Sequence, residues 1–395
     1  KYVFEVIQEQ QIFKDTLGNN DESIYRFDRV GFTLQRNRKK YDLSLGVDGQ
    51  RALLEGDLIL ADTTFRKEFL NVLPSLRFNY EFRKGRRMRL RYEPSVNEPS
   101  ITQLQPVPDN SNPFNIYQGN PDLRAEYRHN LNLNYLLFDQ FSFTSLFTML
   151  RATYTRNKIS NATTIDSVTF RQITQPINVD QDLNLMGYVG FSTPIRPLKI
   201  KVNLNGNVTY NRGITFINAV ENTTNRLISF GDFSVENRKK EIVDARLGTR
   251  LTHNVTDYTV NPEFNQSYLN ATYYANVTVD FLKTWSVNST FNYNTYYGAA
   301  FEDIEPVPLL TASISKRFLQ GEKAQLTLSA FDLLNRNIGI NRTTDLNFLQ
   351  EEQVLTLNRY YMLSFSYSIV SVGKKSKKKS KEETTEELTP AEKDE

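Results

Sequence analysis

Residues 267–298 read SYLNATYYANVTVDFLKTWSVNSTFNYNTYYG. From Leu269 the odd positions carry Leu269, Ala271, Tyr273, Ala275, Val277, Val279 and Phe281. The even positions carry Asn270, Thr272, Tyr274, Asn276, Thr278 and Asp280. Successive side chains of a strand point to opposite faces, so the stretch has one apolar face and one polar face. After Leu282, Lys283 and Thr284 the alternation resumes, with Trp285, Val287, Phe291 and Tyr293 against Ser286, Asn288, Thr290 and Asn292. The spacing predicts two long antiparallel strands joined by a tight turn. The apolar side either packs inside a soluble sandwich or faces lipid while the polar side lines a wet lumen.

Composition narrows the choice. The chain of 395 residues has a net charge of +3, too small to point to nucleic acid, and a mean hydropathy of −0.50. Low hydropathy is compatible with a membrane barrel, because only half of each strand meets lipid. There is no Cys, so neither a disulfide framework nor a thiolate metal site is available. No window holds the roughly 18 apolar residues of a membrane helix, and the N-terminus lacks the basic and apolar regions of a signal peptide. The two histidines, His129 and His253, lie apart in alternating segments and read as strand residues.

The same alternation recurs along the chain. Val30, Phe32 and Leu34 lead through a basic turn into Tyr41, Leu43, Leu45 and Val47. Leu76, Phe78, Tyr80 and Phe82 lead through Lys84 and Gly85 into Met88, Leu90 and Tyr92. Further segments follow at 131–135, 141–155, 183–191, 200–210, 310–318, 324–330 and 363–369. The connections alternate in kind. Short ones at 37–40, 84–85, 138–140, 193–198, 282–284 and 319–322 are followed by long ones at 49–73, 94–127, 155–182, 212–267, 297–308 and 335–358. Short periplasmic turns opposite long extracellular loops are the asymmetry of an outer-membrane barrel.

The fold expected is therefore all-β, a transmembrane antiparallel up-and-down barrel. Thirteen strands from Val30 onward, with residues 1–12 as a fourteenth, bring the chain's end to the short-turn side. The strand-like residues 163–175 and 242–252 are expected to be loop hairpins or strand extensions above the membrane. Residues 1–373 form the barrel domain in this reading. Residues 374–395, a lysine block followed by an acidic block without aromatics, form a disordered charged periplasmic tail. Eight Asn-x-Thr sequons arise from Asn and Thr alternating on a polar face, not from glycosylation.

No Ser/His/Asp spacing, HExxH, P-loop or GxGxxG is present, so no catalytic residues, no metal site and no cofactor are expected, and the chain is read as no enzyme. The chemistry lies in charge. Arg77, Arg83, Arg87, Arg89 and Arg91 share a face opposite Leu76, Phe78, Leu90 and Tyr92, which places them in the lumen as a basic wall. Such a wall holds an anionic solute through charge-assisted hydrogen bonds, or else makes cross-strand ion pairs or contacts to a domain filling the lumen.

The stretch YEPSVNEPSITQLQPVPDNSNPFNIYQGNPDLRAEYRHNLNLNY, residues 92–135, carries a family pattern in Pro99 and Ser100, Leu104 and Pro106, Asp109 to Pro113, Gly119 to Leu123, and Glu126. It resembles the Bacteroidota outer-membrane β-barrel family that belongs with the TonB-dependent receptors. A second block, with Asp332 to Asn335 and a closing strand at 360–369, is similar to the family's end. The resemblance implies a larger barrel of which this chain is the C-terminal part. It also implies an N-terminal plug in the same protein, engagement with the TonB complex, and a surface lipoprotein as a further partner beside outer-membrane lipid. It implies uptake of a solute, against the alternative of a structural or interaction barrel without transport. Clusters of Pro and Asn/Asp fix turns, and the loop is long enough to cover the barrel mouth. Gln103, Asn110, Asn112, Tyr117, Asn120 and Asp122 are candidates for contacting solute or for bracing the loop.

Overall fold

The computed structural model describes residues 4–7, 10–13, 21–58, 63–298, 306–337, 340–344, 349–353 and 357–369. The hairpin read from residues 267–298 is present as β16 (Gln266–Phe281) and β17 (Trp285–Tyr297) in the numbering used below. Leu282 and Lys283 turn the chain at φ of 48° and 60°, the left-handed conformations that match a tight hairpin to strand twist. The register sets Ala275 opposite Phe291 and Tyr273 opposite Tyr293 on one face, and Asn276 opposite Thr290 on the other.

The chain begins with β1 (Phe4–Ile7) and β2 (Gln10–Phe13), which form a separate two-stranded sheet. The described residues 4–7 and 10–13 therefore pair with each other outside the main sheet, which corrects the expectation of residues 1–12 as a fourteenth crossing. The main sheet starts with β3 (Asp21–Asn37), β4 (Tyr41–Leu58), β5 (Thr63–Arg83) and β6 (Arg86–Tyr92). The long connection that follows contains β7 (Ser95–Asn97), helix α1 (Ile101–Leu104), β8 (Asp109–Asn112) and β9 (Asn115–Tyr117). The meander resumes with β10 (Glu126–Asp139), β11 (Thr144–Ile165), β12 (Gln172–Ile195), β13 (Ile200–Ile217), β14 (Val220–Asn237) and β15 (Val243–Tyr258). It continues through β16 and β17 to β18 (Val307–Phe318) and β19 (Ala324–Phe331). A small hairpin of β20 (Ile340–Thr344) and β21 (Leu349–Gln353) precedes β22 (Tyr360–Tyr367).

Pairing between consecutive long strands is antiparallel throughout, and β10 joins β6 across the long connection. The sheet has 18 strands, and β22 stands next to β3 in the strand order, so the sheet comes round on itself. Without the three short strands of the long connection, fifteen remain. The two beyond the thirteen expected from Val30 onward are β14 and β15, which occupy the segment 212–267 that the sequence reading assigned to a loop. Adding two crossings preserves parity, so β22 still runs toward the short turns. The segment 163–175 is strand extension, as expected. The overhang is large: β11 and β12 have 22 and 24 residues, where about 9–11 cross a bilayer. The asymmetry of the two ends thus lies as much in projecting paired strand as in loop.

The register makes the outward face consistent from strand to strand. Leu150, Leu185, Leu204, Val208, Phe233, Leu247 and Tyr273 all lie on it and are exposed. Aromatic clusters flank this face. Toward the short turns Tyr41, Phe78, Tyr80, Phe82 and Tyr135 are linked at centroid distances of 4.7–6.4 Å. At the other end His129 lies among Tyr92, Tyr127 and Tyr154, and its Nδ1 is 2.8 Å from the Tyr92 hydroxyl. On β10 the clusters are separated by about 25 Å of strand from Tyr127 to Tyr135, the scale of an apolar membrane band between aromatic girdles. Trp285 belongs to the outward face, stacked on Phe281 with Lys316 Nζ 5.1 Å above its ring. No helix among the described residues is long and apolar enough to cross a membrane.

Candidate functional site

The connection from β6 to β10 folds against the inside of the barrel mouth. Ser100 caps α1, accepting from Gln103 N at 3.3 Å while its own N–H donates to Gln103 Oε1 at 2.9 Å, a reciprocal capping box. This fixes the single helical turn so that Ile101 and Leu104 are buried against Leu54 of β4, Ile159 of β11 and Leu123, with Phe69 of β5 beside them. Leu54 and Phe69 occupy lumen-facing positions by register with β4 and β5. They are apolar on a wet face because the loop covers them.

Polar contacts clamp the same loop. Lys67 Nζ donates to the carbonyls of Pro121, at 2.6 Å, and Leu123. Asn178 of β12 accepts from Arg124 N at 2.7 Å and donates back to Arg124 O at 3.0 Å. β9 pairs parallel to β12, Tyr117 opposite Thr174. Gly119 is required by close approach, since a Cβ there would lie 2.2 Å from Gln105 O. At the loop's exit Glu126, 2 % exposed, takes Lys158 Nζ at 2.7 Å, Ile159 N at 3.0 Å, Arg128 Nη2 at 2.5 Å and Asn97 Nδ2 at 3.2 Å. Burial pushes this carboxyl up, but the hydrogen bonds from Lys158, Ile159 N and Arg128 outweigh it and hold it below the usual carboxylate range.

The six candidate loop residues divide by these contacts. Gln103 closes the capping box and its carbonyl takes Asn120 N at 2.6 Å. Asn112 Oδ1 accepts from Phe114 N, and Asn120 accepts from Asp122 N while donating to Pro176 O. These three are occupied as braces. Tyr117 is half-buried in β9, and Asp122 is exposed close enough to Lys67 to raise its pKa against the lowering by burial. The side chain of Asn110 lies outside the described residues.

The arginine wall forms on β5 and β6. Arg77 faces Arg91 directly, Asn79 faces Arg89 and Glu81 faces Arg87, all on the lumenal parity. A bulge between Glu81 and Arg83 sets Arg83 opposite Arg86 and so takes it off the lumenal row at the rim. All five arginines are exposed, and none makes an ion pair or side-chain hydrogen bond among the described residues. Like charges directly opposite each other destabilise a strand pair, so Arg77 and Arg91 carry a cost that an anion between them relieves. A different arrangement holds across β14–β16. Asp232 takes Arg250 at 3.3 Å, Arg246 at 3.7 Å and the Tyr274 hydroxyl at 3.1 Å. Tyr274 reaches it by lying over Gly248, where a Cβ would sit 2.5 Å from the ring. Among the described residues no group of three or more His, Cys, Asp or Glu is placed to hold a metal.

The model of the outer membrane protein beta-barrel family matches residues 30–367, from β3 to the end of β22. The chain belongs to that family. No curated protein matches it. Membership assigns the outward apolar face of this outer-membrane barrel to lipid and its polar face to the lumen. Glu126, Lys67, Lys158, Asn178 and Asp232 were not singled out as site residues by the sequence. Glu126 stood in the sequence only as the acidic residue of the pattern at 92–135, while the partners of Lys67 and Asn178 lie 54–56 positions away.

Proposed function

We propose that this outer-membrane barrel is the wall and extracellular loop set of a TonB-dependent receptor-like transporter of the Bacteroidota kind, taking up an anionic solute. The observation that carries the reading is the lumenal row Arg77, Arg87, Arg89 and Arg91, exposed and free of ion pairs among the described residues. Guanidinium groups bind carboxylates and phosphates bidentately. The motif pattern at 92–135 supports the TonB relationship, and on that relationship the short turns face the periplasm. A plug domain of the same protein, the TonB complex and a surface lipoprotein are its expected partners. The braced loop narrows the mouth above the row.

The test uses the chain in planar bilayers under a potassium phosphate gradient, intact and with residues 99–122 replaced by a short Gly/Ser linker. Anion-selective conductance that rises on loop removal, and whose selectivity falls several-fold in Arg87→Gln/Arg89→Gln/Arg91→Gln, is the expected result. A barrel that conducts in neither form, or conducts without anion preference, favours the structural or interaction role instead.

A further inference from the structure

We infer that the acidic segment 382–395 of this chain docks on the arginine row of β5 and β6 from the short-turn side, as an internal occupant of that end of the lumen. The segment lies outside the described residues. Its sequence, EETTEELTPAEKDE, holds seven carboxylates against one lysine.

Three observations lead there. First, the row is exposed, makes no ion pairs among the described residues and includes the like-charge pair Arg77 and Arg91, so a polyanion is the ligand that suits it. Arg38, Lys39 and Lys40 at the β3–β4 turn join Arg87 and Arg89 around one surface cavity, where these five basic residues outnumber the carboxylates of Asp42 and Glu81. Second, the chain leaves β22 on the same side, with Ser368 N bonded to Lys323 O in the short turn between β18 and β19. β22 stands next to β3 in the strand order. From β22 to β6 is four strand spacings, about 20 Å. The fourteen residues 368–381 span up to about 45 Å when extended. Third, the charges match in order. Between β22 and the arginines, the lumenal parity of β4 carries Asp42 and Asp48. Along the chain the lysine block 374–381 precedes the acidic block. On the lumenal face of β4 the lysines meet Asp42 and Asp48, at the rim they pass the like-charged Arg38, Lys39 and Lys40, and the carboxylates beyond them meet arginines.

Docking of this kind is intramolecular, so even weak ion pairs gain from a high effective concentration and weaken with salt. It uses the same row that the transport reading assigns to an anionic solute, so tail and solute compete for it.

The test exploits the absence of cysteine. The full chain, folded in detergent micelles, receives Thr385→Cys together with Asn79→Cys, whose position lies between Arg77 and Arg89 on the lumenal face. A second pair joins Thr385→Cys to Lys283→Cys on a distant short turn. Under mild oxidant the first pair is expected to form its disulfide at least ten-fold faster than the second. The preference is expected to vanish in 0.5 M NaCl, in Arg87→Glu/Arg89→Glu, and in Glu382→Gln/Glu383→Gln/Glu386→Gln/Glu387→Gln, which leaves the barrel sequence intact. Equal rates for the two pairs, or a preference that survives neutralisation of the tail, overturn the proposal. So does a wall that inorganic phosphate shields from a cysteine reagent at position 79 while the tail shows no preference, since that outcome assigns the row to free anions.

Discussion

Glu126 at the start of β10 and Lys158 on β11 meet at 2.7 Å, and the carboxylate is nearly sealed from solvent by the loop that leads into it. The pair stands above the membrane band, since β10 runs for 14 residues from Glu126 to the short turn. One carboxylate therefore ties the end of the loop to two barrel strands, and it organises two cations, the Asn97 amide and a backbone N–H. Removing it strands Lys158, Arg128 and Ile159 N. The two cations are about a third exposed, so the loss falls at the low end for a broken buried pair, about 3 kcal/mol. Glu126→Ala is expected to release the loop, read as faster tryptic nicking at Arg124 in a barrel that still migrates as folded on an unheated gel.

Acid reproduces the same release. The Glu126 carboxyl titrates below its ordinary value in the folded barrel, so its contribution is complete above the unfolded carboxylate pKa and is lost as pH falls through the lower folded value. Nicking at the loop, measured with an acid-active protease, is expected to rise below about pH 4 in the parent chain. In Glu126→Gln it is expected to be raised already at pH 7 and to change little on acidification. A parent loop that stays protected at pH 3 removes Glu126 as its clamp.

Gly119 tests the loop independently of charge. A Cβ there meets Gln105 O at 2.2 Å and Thr102 O at 2.8 Å, both backbone atoms that cannot swing aside. Gly119→Ala is expected to free the segment 99–122 without loss of barrel assembly, so proteolysis and heat-modifiable migration separate. Assembly lost together with the loop means that the loop is needed for folding and not only for closing the mouth.

The hairpin β16–β17 was legible because its two faces are chemically clean. β14 and β15 were not. Their outward positions include Ser229, Gly231 and Thr249 while Ile228 and Phe230 point inward, so the period-two signal cancels. Their charged residues pair between neighbouring strands on the lumenal face, around Asp232, where no local window sees them. The arginine row followed from parity alone. Arg83 left it because a one-residue bulge shifts the register, which no alternation pattern reports. Leu54 and Phe69 read as irregularities on a wet face until Ile101, Leu104 and Leu123, distant in sequence, are seen to cover them.

The Asp232 cluster separates hydrogen bonding from charge. Tyr274→Phe loses only the hydroxyl, worth about 1 kcal/mol, and keeps the ring beneath Arg246 and Arg250 at 5.9 and 5.7 Å. Asp232→Ala leaves both guanidiniums without their carboxylate. Each is about half exposed to the lumen, so the expected cost is about 2 kcal/mol and grows at low salt. Urea unfolding in micelles at two ionic strengths checks the order. A larger effect from the tyrosine change contradicts the assignment of Asp232 as the hub.

Lipid contact is tested on the stretch that first suggested it. Val279 is outward and pairs with Val243 and Val287, whereas Thr278, one residue earlier, is lumenal and pairs with Asp244 and Asn288. Arginine at Val277 or Val279 must hold a charge against hydrocarbon, which costs about 2–4 kcal/mol near the midplane and less toward the interface. Arginine at Thr278 stays in the wet lumen beside Asp244. Asn276 is a poorer control because Arg246 stands directly across from it and like charges repel there. Assembly into lipid vesicles, followed by heat-modifiable migration, is expected to fall in the order Thr278→Arg, Val279→Arg, Val277→Arg, the last lying deepest from the turn at Leu282. Equal assembly of all three would mean that the face carrying Val277 and Val279 is not in contact with lipid.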